Sequence, residues 1–200
     1  TRKAQVKVNG KRMKVSPVAG EYFRIERTWK NGDRVELVLP MHLTMRTWQV
    51  NKNSVSVNYG PLTLSLKIGE EFIRRDSRET AIGDSKWQKG ADAENWPSYE
   101  IHPTTAWNYA LVLGEKDPLE GFEVVKKSWP SDNFPFTPGN VPLEVKAQGR
   151  RIPSWKIDKY GLCAVLPETD APKSPQIENI TLIPMGAARL RISAFPAVSE

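Results

Sequence analysis

Cysteine and histidine are nearly absent from this chain, and each scarcity removes a class of chemistry. The 200 residues include one cysteine, Cys163, and two histidines, His42 and His102. A single cysteine cannot form an internal disulfide or a thiolate-rich zinc site. Neither histidine stands in a pattern with serine, cysteine or carboxylate that would indicate a catalytic triad. The sequence therefore predicts no metal, no other cofactor and no catalytic residue.

Long apolar runs and helical periods are missing too. No stretch approaches the ~20 apolar residues of a membrane span, so no membrane partner is expected. The 16 prolines argue against long helices, and no segment keeps a helical period over three turns. The first residues lack the apolar segment of a signal peptide and lead at once into a predicted strand, which suggests a chain cut from a longer one.

Charge of one sign is not concentrated in any segment. The formal net charge is +6, but Lys7, Lys11 and Lys14 alternate with other residues along a predicted hairpin. Outward-facing strand positions carry charge in any soluble sheet, whereas nucleic-acid-binding proteins cluster their basic residues on one face. The pairs Lys126-Lys127 and Arg150-Arg151 are too short to change this, so no nucleic-acid partner is predicted.

Alternation of apolar and polar residues around short turns is the pattern that the sequence does have. The turn Asn9-Gly10 separates two alternating runs, and Asn31-Gly32-Asp33 separates two more, Tyr22–Arg27 and Arg34–Leu39. Asn-Gly favours the positive φ angles of a type I′ turn, which matches the twist of paired strands. A period of two places one side of each strand in a core. The chain is thus predicted to open as an antiparallel β meander.

Further strands follow at short intervals, and the sequence predicts an all-β fold of two antiparallel β-sandwich-like units. The units are residues 1–68 and 69–200, and a long, charged, irregular connection begins the second and runs to about residue 103. The later predicted strands are 41–46, 54–59, 62–68, 107–113, 122–126, 143–147, 161–165, 177–184 and 188–192. The predicted core comprises Val8, Phe23, Ile25, Val35, Leu37, Leu62, Leu64, Leu66, Leu111, Leu113, Val145, Leu182, Leu190 and Ile192.

Several segments resemble the β domains that follow the catalytic barrel in glycoside hydrolase family 127, the β-L-arabinofuranosidase-like proteins. They are Val6–Lys11, Gly20–Asp33, Leu37–Met41, Tyr59–Leu62, Trp107–Leu111 and Leu182–Ile192. The first three are similar to the sandwich directly after the barrel, and Tyr59-Gly60-Pro61-Leu62 is similar to the strand that ends it. The last two are similar to the C-terminal β domain. Each motif alone is a common turn or strand pattern, but the order and spacing of the motifs favour this family.

The resemblance implies a function for a parent protein rather than for this chain alone. Family members act on L-arabinofuranosyl or related sugars of plant glycans, and their zinc-binding cysteines and glutamate lie in an upstream helical barrel. This chain has neither that barrel nor the cysteine cluster. It is therefore expected to be a non-catalytic accessory region whose partner is the N-terminal catalytic barrel of the parent chain. A second copy of the chain, in a homodimer, is a further candidate partner. A periplasmic or secreted location is suggested by family analogy alone.

Tryptophan is the one residue type that points to a ligand, and it leaves alternatives open. Seven tryptophans are present, and Trp87, Trp96, Trp107 and Trp129 lie in or beside the predicted loops. Aromatic faces can stack on the C–H faces of sugar rings. The alternative is that Trp29, Trp48 and Trp107 cover the sandwich cores and the loop tryptophans only fix the long connection. If a sugar is contacted, Trp87 and Trp96 are the predicted contacts, because Asp84, Lys86 and Asn95 beside them could bond hydroxyls.

Two alternatives to an accessory region remain. The chain could be an independent carbohydrate-binding β-sandwich module, with a concave aromatic groove of its own. It could also be a self-sufficient hydrolase, which would need two converging carboxylates such as Glu70-Glu71 or Asp92 with Glu94.

Overall fold

The all-β prediction is confirmed. The computed structural model describes residues 4–14, 18, 20–75 and 94–199. Within these ranges the chain forms thirteen strands and one short 3₁₀-helix, Met185–Ala187. No helix in the described part of the chain is long and apolar enough to cross a membrane.

The strands follow one another with short connections. The first six are β1 (Gln5–Val8), β2 (Lys11–Arg12), β3 (Val35–Val38), β4 (Leu43–Trp48), β5 (Ser54–Tyr59) and β6 (Leu62–Leu66). The next four are β7 (Glu70–Arg75), β8 (Ser98–Pro103), β9 (Tyr109–Leu113) and β10 (Glu123–Lys126). The last three are β11 (Leu143–Arg151), β12 (Ile177–Pro184) and β13 (Ala197–Ser199).

These strands form three sheets. The N-terminal sheet has the order β2-β1-β3, and β7 pairs with β8 in a two-stranded ribbon. The main sheet has eight strands in the order β13-β9-β11-β12-β6-β5-β4, with β10 also paired to β11. Its pairings are antiparallel except for β13, which runs parallel to β9. β11 is long enough to pair with β10 at its start and with β9 at its end, on the edge opposite β12.

The first predicted hairpin is confirmed, and the second is wrong. Asn9 and Gly10 have φ angles of 51° and 75°, as a type I′ turn requires. Residues 22–27 are not a strand, however, and β3 pairs with β1 instead. The Asn9 side chain explains this, because it accepts a hydrogen bond from the Arg34 N–H and donates one to Asp33. The second turn is thereby tied to the first, and the strand after it is placed beside β1.

The β5–β6 hairpin depends on a glycine. Gly60 has a φ of +56°, and a Cβ atom placed on it would lie 2.7 Å from Cγ of Met41. Both the backbone conformation and the close approach of Met41 therefore favour glycine at this position. The Gly60 N–H donates a hydrogen bond of 3.0 Å to the His42 carbonyl, which joins the segment before β4 to the hairpin.

The main sheet carries the core, with apolar side chains buried on both faces. The larger cluster includes Val57, Leu64, Leu111, Val145, Leu182 and Phe195, and a smaller one comprises Val141, Ile183, Ala187 and Ala188. Of the predicted core, Val8, Leu64, Leu66, Leu111, Val145, Leu182 and Ile192 are buried. Phe23, Ile25, Leu113 and Leu190 are half-buried.

Three predicted core residues are exposed, and those predictions are wrong. Val35 and Leu37 lie on β3 and Leu62 on β6, with 48%, 59% and 38% of their surface accessible. β3 lies at the edge of its sheet, whereas β1, with Val8, lies between two strands. The alternation of β3 is real, but Val35 and Leu37 keep about half of their surface accessible, whereas their partners Val8 and Val6 on the central strand β1 are buried.

Three other strand predictions also differ from the structure. Residues 70–75 were expected to be irregular but form β7, which pairs with β8 across the connection. Residues 161–165 contribute only an isolated bridge between Ile157 and Cys163. Residues 188–192 are not a strand. The last strand of the main sheet is instead β13, which pairs with β9.

The predicted boundary near residue 69 stays a prediction. The main sheet contains strands from both sides of that position, because β6 pairs with β12. The larger core cluster likewise contains Val57 and Leu64 together with Leu111 and Val145.

Candidate carbohydrate-binding site

The two tryptophans predicted to contact carbohydrate stand differently in the structure. Trp87 lies outside the described residues, as do Asp84 and Lys86, and the predicted contact there stays a prediction. Trp96 lies in the turn before β8 with 75% of its surface accessible. An indole this exposed offers a flat apolar face to a ligand.

The ribbon beside Trp96 is exposed and rich in aromatic and charged groups. The rings of Phe72 and Tyr99 meet edge to face with centroids 6.2 Å apart, and the Arg189 guanidinium lies 5.3 Å from the Phe72 ring. Arg75 donates a hydrogen bond of 3.0 Å to Glu100, which also lies 3.1 Å from His102. The hydrogen bond from Arg75, which has the larger effect, and the one with His102 lower the pKa of Glu100. The ribbon thus presents an ionised carboxylate and aromatic faces on one small element.

The acidic pairs considered for glycoside hydrolysis are engaged elsewhere or lie outside the described residues. The Glu70 side chain is buried and accepts hydrogen bonds from the N–H groups of Arg189 and Leu190 at 3.1 and 3.4 Å. It fixes the ribbon to the segment after the 3₁₀-helix, whereas its neighbour Glu71 is exposed. Glu94 forms an ion pair with Arg74 at 2.7 Å. Asp92 lies outside the described residues.

Cys163 lies in the predicted strand 161–165, and that strand prediction is wrong. The residue is exposed, because residues 161–165 form only the bridge to Ile157 rather than a full strand. Partial desolvation and then the charge of Asp158 raise the pKa of the thiol, which disfavours the nucleophilic thiolate. Within the described ranges, no three His, Cys, Asp or Glu residues lie close enough together to hold a metal ion.

A second aromatic surface lies on another part of the molecule, and the sequence alone did not predict it. A recess of about 440 Å³ is lined by Leu62, Trp129, Phe136, Pro142 and Met185 among others. A neighbouring recess of about 540 Å³ shares Leu62 and Pro142 with it and is also lined by Met41, Tyr59, Lys126 and Lys127. We call these two adjoining recesses the Trp129 groove. Their volumes are typical of small-molecule sites.

The loop that carries Trp129 is braced by its own side chains. The indole Nε1 donates a hydrogen bond of 2.6 Å to Oδ1 of Asn133, and Asp132 accepts bonds from the Phe134 N–H and from Asn140. The Lys127 N–H also bonds the Pro142 carbonyl at 2.8 Å, which ties the start of the loop to its end. The Trp129 ring is thus fixed in orientation while 60% of its surface stays accessible.

A lysine cluster on a buried carboxylate lies beside the groove. Glu144, on β11, is 3% exposed and pairs with Lys127 at 2.7 Å, Lys67 at 2.8 Å and Lys146 at 3.3 Å. Burial alone would raise the pKa of Glu144, but the hydrogen bonds from Lys127, Lys67 and Lys146 outweigh it and lower the pKa to about 2. The carboxylate is therefore ionised at neutral pH, and three positive charges surround one negative charge.

The sequence contained a signal for this surface. Lys126-Lys127 stands two residues before Trp129, and prolines follow at 130, 135, 138 and 142. The lysine pair by itself is too short to indicate a nucleic-acid-binding patch. The role of the lysine pair depends on the pairing of β10 with β11, because that pairing brings Lys127 beside Glu144. Sequence spacing alone does not contain that juxtaposition.

One family model matches the N-terminal part of the chain. The family model described as β-L-arabinofuranosidase, GH127 middle domain, matches residues 1–41. No protein with a curated description matches the sequence.

Solved structures are similar in fold over nearly the whole chain. One is titled a glycoside hydrolase (18% identity, TM-score 0.51), with 98% of this chain and 26% of that chain covered. Another is a GH127 β-arabinofuranosidase (18% identity, TM-score 0.50), with 98% and 23% covered. A third is a GH127 β-L-arabinofuranosidase from Geobacillus stearothermophilus T6 (16% identity, TM-score 0.48), with 100% and 25% covered.

This chain spans about a quarter of the length of the solved structures that it matches. At these identities the first two structures show that the fold is shared. The relation to the family rests on the match of its middle-domain model to residues 1–41. The resemblance found in the sequence is thereby confirmed: the chain is related to glycoside hydrolase family 127 through that family's middle domain.

Proposed function

We propose that this chain is the non-catalytic accessory C-terminal region of a glycoside hydrolase that acts on arabinofuranosyl or related plant glycans. In this role its β domains brace the N-terminal catalytic barrel of the parent chain. The relation to family 127 and the coverage of about a quarter of much larger proteins support the proposal.

The apolar surface of residues 18–41 is the observation that carries the proposal. This short segment exposes eight large hydrophobic side chains, as many as would suit a packed interface rather than a solvated face. They are Val18, Tyr22, Trp29, Val35, Leu37, Val38, Leu39 and Met41. All eight lie within the stretch that matches the family's middle-domain model. A domain that normally packs against another exposes its former interface when it stands alone.

The edge of the N-terminal sheet adds a second argument. Among the described strands β3 pairs only with β1, so its other edge offers unpaired N–H and C=O groups. An edge strand with exposed Val35, Leu37 and Val38 is a template for a further strand. We infer that another segment of the parent protein adds to this edge and covers the apolar side chains. A second copy of this chain is the competing occupant.

Substitutions on β3 test this proposal. Leu37→Glu should leave the folding of the 200-residue chain almost unchanged, because Leu37 is already exposed. In the full parent protein the same substitution should lower thermal stability and glycosidase activity, because it places a charge in an interface. Lys11→Glu, on exposed β2, is the matched control. If Leu37→Glu is as harmless in the parent as Lys11→Glu, the bracing role is wrong. A dimer of the isolated chain that Leu37→Glu dissociates would favour the homodimer instead.

Carbohydrate contact is the second candidate function, and the exposure of Trp96 favours it. Titration of arabinose-containing oligosaccharides against the chain should quench or shift tryptophan fluorescence, and Trp96→Ala should reduce that change. Trp87→Ala tests the other predicted contact. The absence of any fluorescence change and of any heat of binding would reject this candidate.

A further inference from the structure

We propose that the Trp129 groove binds an oligosaccharide that carries carboxylate groups. A sugar ring lies on the Trp129 indole, and a carboxylate of the same oligosaccharide is bound by Lys126 and Lys127. The carbohydrate nature of this ligand rests on the proposed function, whereas its negative charge rests on the lysines of the groove. This site is separate from Trp87 and Trp96.

Charge complementarity is the first argument for an anionic ligand. Glu144 is held by Lys67 and Lys146 as well as by Lys127, so its single negative charge leaves an excess of positive charge beside the groove. Lys126 adds a further charge, and its ammonium lies 5.9 Å from the Tyr59 ring centroid. Both Lys126 and Lys127 line the larger recess. A carboxylate that enters there meets two ammonium groups, and charge-assisted hydrogen bonds are the strong ones.

The geometry of Trp129 is the second argument, and it favours a sugar over a simple anion. The hydrogen bond to Asn133 fixes the ring before any ligand arrives, so little side-chain entropy is lost on binding. Phe136 and Leu62 extend the apolar surface on the same recess. A flat, preorganised aromatic face suits the C–H face of a pyranose ring. An inorganic anion would use the lysines but gain nothing from the indole.

Calorimetric titration of the 200-residue chain tests the proposal with two matched probes. One is a tetramer of galacturonic acid, and the other is a neutral galactose tetramer. We expect the acidic probe to bind about tenfold tighter at low ionic strength, and the difference to shrink as salt screens the lysines. The double variant Lys126→Gln with Lys127→Gln should abolish this preference. Trp129→Ala should weaken both probes about threefold to tenfold.

Controls separate these effects from general ones. Lys11→Gln removes an exposed lysine that lines neither recess, and it should leave both affinities unchanged. Trp96→Ala should also have no effect on the galacturonic acid tetramer. Glu144 keeps Lys67 and Lys146 in the double variant, and thermal unfolding checks that the fold survives. Lys126→Gln alone gives a second test, because Lys126 does not contact Glu144.

Several results would overturn the proposal. They are equal affinity for the two probes, a preference that survives the double lysine variant, the same binding in Trp129→Ala, or no heat with either probe. A Trp129 shielded from acrylamide quenching in the parent protein, with no oligosaccharide binding there, would make the groove an internal interface. That outcome would leave the proposed bracing role intact, because the bracing role is tested separately at Leu37.

Discussion

The N-terminal sheet and the main sheet follow the same sequence rule and end in different surroundings. On β12 of the main sheet, Leu182 is fully buried, whereas Leu37 on β3 is 59% exposed. Among the described residues, 18–41 expose eight large hydrophobic side chains and the whole remainder exposes thirteen. Alternation determines which face of a strand is apolar. Whether that face is covered depends on the neighbouring elements, and among the described strands β3 has a partner, β1, on one side only.

We infer from this contrast that the main sheet folds by itself and that the N-terminal sheet needs a further partner. The main sheet has buried side chains on both faces, whereas the N-terminal sheet offers an apolar side and an open edge. The N-terminal sheet is also the part that matches the family's middle domain. Four predictions test this division, in order of decreasing effect.

Truncation should give the largest effect. A fragment of residues 43–200 keeps every strand of the main sheet and should fold with a cooperative transition. A fragment of residues 69–200 lacks β4, β5 and β6 and removes Val57 and Leu64 from the core, so it should not fold. Circular dichroism and thermal melting distinguish the two. A folded 69–200 fragment would instead support the domain boundary predicted near residue 69.

A matched pair of leucine substitutions should sharpen the same contrast. Leu182→Ala should reduce the free energy of unfolding by about 2–5 kcal/mol, because it leaves a cavity in a closed core. Leu37→Ala should cost about 0.5 kcal/mol in the isolated chain, because 59% of that residue's surface is already accessible. Denaturant unfolding of both variants measures the difference. Equal losses would mean that the N-terminal sheet is as well packed as the main one.

Acid should destabilise the main sheet through Glu144. The pKa of this carboxylate is lowered from 4.5 to about 2 in the folded chain, so it contributes stability above pH 4.5 that is lost as the pH falls toward 2. We expect a loss of about 1–3 kcal/mol over this range. Glu144→Gln should be less stable at neutral pH and should flatten this part of the profile. An unchanged profile in Glu144→Gln would place the acid sensitivity elsewhere.

Two glycine substitutions should give the smallest effects and should differ from each other. Gly10 and Gly60 both have positive φ, so alanine strains the backbone by about 1 kcal/mol at either. Nothing lies within 4 Å of a Cβ atom at Gly10, whereas Met41 blocks the one at Gly60. Gly60→Ala should therefore lower the melting temperature more than Gly10→Ala. The reverse order would show that Met41 moves aside freely.

The sequence predicted the local elements well where turn chemistry and alternation agree. The Asn9-Gly10 hairpin and the strands 54–59 and 177–184 are examples. It failed where partners are distant in sequence: β7 pairs with β8 across a long connection, and β13 joins β9 in parallel. Turn residues do not encode such pairings, because they depend on the whole sheet.

The candidate site was harder to predict than the fold, for the same reason. The exposure of Trp96 fits its position in a polar turn, but the Trp129 groove arises from β6, the loop after β10 and the segment before β11. Lys127 becomes meaningful only beside Glu144, 17 positions away in sequence. Val35 and Leu37 show the complementary failure, because their alternation predicted burial that the described part of the chain does not supply.

Side-chain footprinting of Trp29 and Leu37 in two contexts tests the central claim most directly. In the isolated 200-residue chain, hydroxyl radicals should oxidise both residues readily, as their exposure implies. In the full parent protein both should be protected, while Tyr160, exposed on the other part of the chain, should react equally in the two. Equal oxidation of Trp29 and Leu37 in both contexts would contradict the account.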